Sequence, residues 1–81
     1  MELIVRKLTE GASEADLLDA YTRLIEIATE KKDWNAVTEN AERYLAVNPL
    51  IPLPYQHLGR AAEEVGKPKP AIAAYQTLLT L

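Results

Sequence analysis

Cysteine and phenylalanine are both absent from this 81-residue chain, which has one histidine, one tryptophan and three glycines. Without a thiol there is no disulfide to brace a small fold, no thiolate metal site and no thiol nucleophile. His57 has neither a cysteine nor a second histidine with which to share a metal ion, and a carboxylate neighbour alone makes a weak site. Gly11, Gly59 and Gly66 are too scattered to form a phosphate-cradling loop. No apolar run exceeds five residues, far short of the roughly 20 that cross a bilayer as a helix. Nor does the N-terminus show the apolar core and small-residue cleavage site of a secretory signal. Positive charge is scarce as well. Nine Lys and Arg against twelve Asp and Glu leave a net charge of −3, which disfavours nucleic acid, whose phosphates are held by clustered cations. These absences point away from an enzyme, a cofactor or metal protein, a nucleic-acid binder and a membrane-spanning chain. They favour a cytoplasmic setting and leave the compartment otherwise open.

What is there is helical periodicity. A domain this small, without disulfides, must draw its core from dense helix packing. Residues 1–13 read as a short N-terminal helix and loop, with Leu3, Ile4 and Leu8 on one edge, although Ile4-Val5 also fits a strand. Ser13 is placed to cap the next helix, Glu14 to about Lys31, where Leu17, Tyr21, Leu24 and Ala28 form an apolar stripe. Asp33 is placed to cap a second helix, Trp34 to Val47, which stops before Pro49 because the residue ahead of a proline leaves helical geometry. A third helix runs to Val65, with Pro54 in its first turn and Tyr55, Leu58, Ala61, Ala62 and Val65 inward. Gly66 ends it in a left-handed conformation. The fourth opens on Pro68 and Pro70 and buries Ala71, Ile72, Tyr75, Leu78 and Leu79. Each pair has a connection of only a few residues, so its helices are antiparallel neighbours. The expected class is all-α, one domain over 1–81, with helix hairpins at 14–49 and 50–81.

The two hairpins share a period. Tyr55-x-x-Leu58-Gly59-x-x-Ala62, then Ala71-x-x-x-Tyr75, lies thirty-four residues after Tyr21-x-x-Leu24-Ile25-x-x-Ala28, then Val37-x-x-x-Ala41 and Pro49. A fixed period of this length signals a repeat architecture, in which one hairpin stacks on the next to bury a continuous core. From Leu18 to Leu81 the chain resembles two tetratricopeptide repeats, the second truncated. The family pattern is aromatic-x-x-Leu-Gly-x-x-Tyr, then Ala-x-x-x-aromatic, then Pro. The second copy departs only at Ala62, whereas the first departs at Ile25, Ala28, Val37 and Ala41.

The resemblance implies a non-catalytic scaffold that presents a groove, lined by the first helix of each pair, to a peptide or protein partner. On this chain the groove residues would be Thr22, Glu26, Glu30, Gln56, Arg60 and Glu63. That surface is mostly acidic and suited to a basic or hydroxyl-rich segment. The Lys and Asn clamp with which one branch of the family grips chaperone tails is missing, since Thr22, Glu26, Gln56 and Arg60 stand there. The plainer alternative is a solvated face without a ligand, and His57 reads as an ordinary surface residue of its helix. Trp34, Tyr44 and Tyr75 lie on apolar stripes and read as packing. Leu78-Leu79-Thr80-Leu81 would leave an apolar flank on the last helix. Either the chain is a section of a larger protein, or the flank makes a homodimer through the C-terminal helix. The second function class is therefore a structural or oligomerising spacer that docks through its apolar end helices.

Overall fold

Four helices occupy most of residues 13–81, the part of the chain that the computed structural model describes: α1 (Glu14–Glu30), α2 (Trp34–Val47), α3 (Pro52–Glu64) and α4 (Pro68–Thr80). The short helix expected at the N-terminus lies outside the described residues. The first two helices start on side-chain caps. Ser13 Oγ accepts from the Asp16 amide at 3.3 Å, and Asp33 Oδ1 accepts from the Ala36 amide at 3.3 Å, each satisfying one N–H that has no partner inside its helix. The second two start on Pro-x-Pro, Pro52/Pro54 and Pro68/Pro70, and have no side-chain cap. Proline removes first-turn donors that would otherwise need a cap, so α3 and α4 are started by backbone chemistry alone.

α1 and α3 end in the same way, thirty-four residues apart. At the end of α1 the Lys32 amide donates to the Thr29 carbonyl at 3.0 Å and the Asp33 amide to that of Ala28 at 2.9 Å. At the end of α3 the Gly66 amide donates to the Glu63 carbonyl at 3.1 Å and the Lys67 amide to that of Ala62 at 2.8 Å. Both are Schellman closures, which need a left-handed residue just past the helix. That residue is Lys32 (φ 56°) in the first case and Gly66 (φ 74°) in the second. Between the hairpins the loop is fixed by the Tyr55 hydroxyl, which donates to the Pro49 carbonyl at 2.8 Å, and by Asn48 Oδ1, which accepts from the Leu50 amide at 3.1 Å.

Each helix packs on the next in sequence, α1 on α2, α2 on α3 and α3 on α4, while α1 and α4 have no comparable packing. This is an open stack of hairpins, not a closed four-helix bundle. The Cα trace is only 14 Å thick at its thinnest. Two helix layers with axes about 9 Å apart, each with a Cα cylinder about 4.6 Å across, give that value. The buried core is centred on the first hairpin: Tyr21, Ile25 and Ala28 of α1, Val37, Ala41 and Tyr44 of α2, and Ala61 of α3.

Three inward assignments do not hold. Val65 caps α3 and is 46% exposed, because the chain turns away at Gly66. Ile72 and Leu79 are 54% and 85% exposed. The face of α4 against α3 is the 71-74-75-78 stripe, with Ala71 and Ala74 buried and Tyr75 and Leu78 half-buried. Ile72 and Leu79, seven residues apart, share the adjacent stripe, against which none of the other described helices packs.

Candidate functional site

The expected groove residues lie on α1 and α3, five of them exposed. Glu26 and Glu30 sit one turn apart on α1; Gln56, Arg60 and Glu63 follow a four-three spacing along α3. Thr22 is half-buried, and its hydroxyl donates to the Leu18 carbonyl at 2.8 Å, so its donor is used within the helix. Thr29, beside the same row, does likewise to Ile25 at 2.7 Å.

The row is not an independent set of charges. The Arg60 guanidinium lies 5.6 Å from the centre of the Trp34 ring, within cation–π range. Arg60 therefore spans from α3 to the start of α2, and Trp34 carries a charge on one side while lining a cleft on the other. The Glu63 carboxylate near Tyr75 pushes the phenol pKa up from its ordinary 10.0, with partial burial adding to the rise and Arg60 opposing it. His57 on α3 lies within electrostatic reach of Glu26 on α1. Burial holds the imidazole pKa below its ordinary 6.5, Arg60 lowers it further, and Glu26 pulls it back up. His57 is thus half-buried and not a plain surface residue. The signal was present in the sequence: His57 falls on the stripe Pro54-His57-Ala61, whose other two members are among the most buried of α3.

A concavity lies elsewhere. A cleft of about 560 Å³ runs between α2 and α4, with α3 as its floor. Trp34, Tyr55, Leu58 and Ala62 give it an apolar base, Ala73, Ala74 and Thr77 form the α4 wall, and Glu39 and Glu42 stand on the α2 rim. None of the six groove residues lines it. On α3 the cleft residues 55, 58, 62 and 65 and the groove residues 56, 60 and 63 occupy widely separated stripes of the helix. Of the two rim acids, Glu39 is engaged: its Oε1 accepts from Arg43 Nη2 at 2.7 Å.

Among the described residues no three His, Asp or Glu side chains are grouped so as to hold a metal ion, and no helix is long and apolar enough to cross a membrane. No buried side-chain polar atom among them lacks a hydrogen-bond partner. The described surface thus has a polar row on α1 and α3 and a cleft with an apolar base between α2 and α4. No protein-family model, curated protein or solved structure matches the chain.

Proposed function

We propose that this chain is a non-catalytic protein–protein interaction module, built in the manner of two tetratricopeptide repeats, that offers the α1–α3 face to a peptide or protein partner. The observation that carries the reading is the repetition of geometry with sequence: two hairpins with identical Schellman closures at Lys32 and Gly66, thirty-four residues apart. A repeat of this kind makes a rigid display surface. Its α1–α3 face carries Glu26, Glu30 and Glu63 against Arg23 and Arg60, with Arg60 partly engaged by Trp34. A basic segment is the partner of matching charge.

Screening an array of basic, neutral and acidic peptides tests this, with bound residues mapped by amide chemical-shift changes. Basic peptides should perturb Glu26, Gln56 and Glu63, weaken as salt rises, and lose most of their binding to Glu26→Lys or Glu63→Lys. Perturbation confined to Trp34, Ala73 and Thr77 would move the site to the cleft and defeat the groove reading. The spacer reading is supported by a separate observation, the exposed Ile72 and Leu79 of α4, and it leads to a more specific statement.

A further inference from the structure

We propose that this chain self-associates head to tail, α1 of one molecule docking on α4 of the next in the way that α3 docks on α2 within the molecule. The inference rests on the repeat geometry and not on the peptide groove.

Positions thirty-four residues apart show where the stack is left uncovered. Among the described helices α2 is packed on both sides, by α1 and α3, whereas α4 packs extensively on α3 alone. Ala41 and Tyr44 of α2 are accordingly buried, while their α4 counterparts Tyr75 and Leu78 are only half-buried. Leu45 is half-buried, and its counterpart Leu79 is 85% exposed. The other end of the stack shows the same difference. Ala61 of α3 is 1% exposed within the core, and its counterpart on α1, Ile27, is 39% exposed. Among the described residues, one face of α4 and one face of α1 thus lack the neighbour that the internal junction supplies.

Charge favours a second copy as that neighbour. The internal junction sets Arg60 over Trp34 at the start of α2. The counterpart of Arg60 is Glu26, and the start of α4 carries Lys67 and Lys69, both exposed. A copied junction therefore brings Glu26 and Glu30 of one molecule to the lysines of the other, and opposite charges meet at the rim. Because the two surfaces differ, the contact is heterologous and propagates instead of closing as a two-fold dimer.

The test uses the full 81-residue chain. Its weight-average mass by sedimentation equilibrium should climb past twice the 9.0 kDa protomer as concentration rises, without a plateau at the dimer. Leu79→Glu blocks the α4 surface and Ile27→Glu blocks the α1 surface, so each variant alone should stay monomeric. Mixed, they should form a 1:1 pair through the one junction left intact, and Lys67→Glu with Lys69→Glu should weaken that pair several-fold. Circular dichroism establishes that the variants are folded, and Ile27→Gln replaces Ile27→Glu if the latter is not. A wild-type chain that remains monomeric at millimolar concentration, or an Ile27→Glu variant that dimerises as well as wild type, would overturn the proposal. Failure of the peptide screen would leave these outcomes unchanged, so the two readings fail separately.

Discussion

Gly59 and Tyr75 show why a repeat pattern tolerates substitution only in pairs. A methyl group built on Gly59 would lie 2.6 Å from Cε1 and Cζ of the Tyr75 ring, so the ring rests directly on the α3 backbone. The first hairpin solves the same contact in reverse, with Ile25 large and Ala41 small, both fully buried. Gly59→Ala gains about 1 kcal/mol of helix propensity and incurs an overpacking cost of about 1–3 kcal/mol. The single variant should therefore lose about 1 kcal/mol by urea denaturation. In a Tyr75→Ala background the same change should instead stabilise, by up to about 1 kcal/mol. A Gly59→Ala effect of the same sign in both backgrounds would mean that the ring does not impose the glycine. His57 supplies a pH signature. Its folded pKa is depressed, chiefly by burial, below the ordinary 6.5, so in that window the unfolded chain binds the proton more readily and stability rises with pH. The penalty is complete below the folded pKa and gone above 6.5. A pH series of denaturation curves should show stability falling as pH drops through 6.5, with His57→Gln removing that part of the slope. Glu26→Gln should lower the imidazole pKa further and Arg60→Gln should raise it, as read by NMR titration. A pKa indifferent to Glu26 would place that carboxylate away from His57.

At the scale of the helix, what was legible in the sequence is what depends on one element alone. Ser13 and Asp33 as caps, the prolines in the first turns of α3 and α4, and the left-handed Gly66 follow from local chemistry, and the structure has all of them. Lys32 was not legible, because a lysine gives no sign of positive φ; only the thirty-four-residue offset from Gly66 singles it out. A left-handed conformation costs a residue with a Cβ roughly 1–2 kcal/mol, part of which glycine returns as unfolded-state entropy. Lys32→Gly should therefore raise stability by about 0.5–1 kcal/mol. Gly66→Ala should lower it by about 1 kcal/mol. Since nothing lies within 4 Å of a Cβ at Gly66, that loss would come from backbone conformation alone. A neutral Lys32→Gly in thermal melts would mean that the lysine stem recovers the cost by packing. Burial was less legible. Ile72, Leu79 and Val65 are apolar and near the correct stripes, but whether they are covered depends on a neighbouring helix that their own segment cannot specify. The site divides along the same line. Exposed Glu26, Glu30, Gln56, Arg60 and Glu63 follow from helical periodicity, whereas the α2–α4 cleft is space left by the small side chains of Ala62, Ala73 and Ala74, and a sequence pattern registers residues more readily than gaps.

Across the whole molecule the stack is uneven, and that unevenness governs how it should open. In a linear array each helix is stabilised only by its own propensity and its nearest neighbours. α1 and α2 bury Tyr21, Ile25, Val37 and Tyr44, while α4 buries only Ala71 and Ala74 and has a neighbour on one side. At about 0.8 kcal/mol per buried CH₂, several methylenes separate the two ends. α4 should therefore detach from α3 in a partial opening that leaves the first hairpin folded. Native-state hydrogen exchange on a dilute sample should find α4 amides exchanging at least about tenfold faster than those of α2, a gap of about 1.4 kcal/mol. Uniform protection across both hairpins would instead mean that the molecule unfolds as one unit, with the Gly59–Tyr75 contact binding α4 as firmly as the larger core binds α2. The gap should also narrow as concentration rises if α1 of another molecule covers the face of α4 that carries Ile72 and Leu79, because an opening that must first release a docked copy is suppressed by mass action.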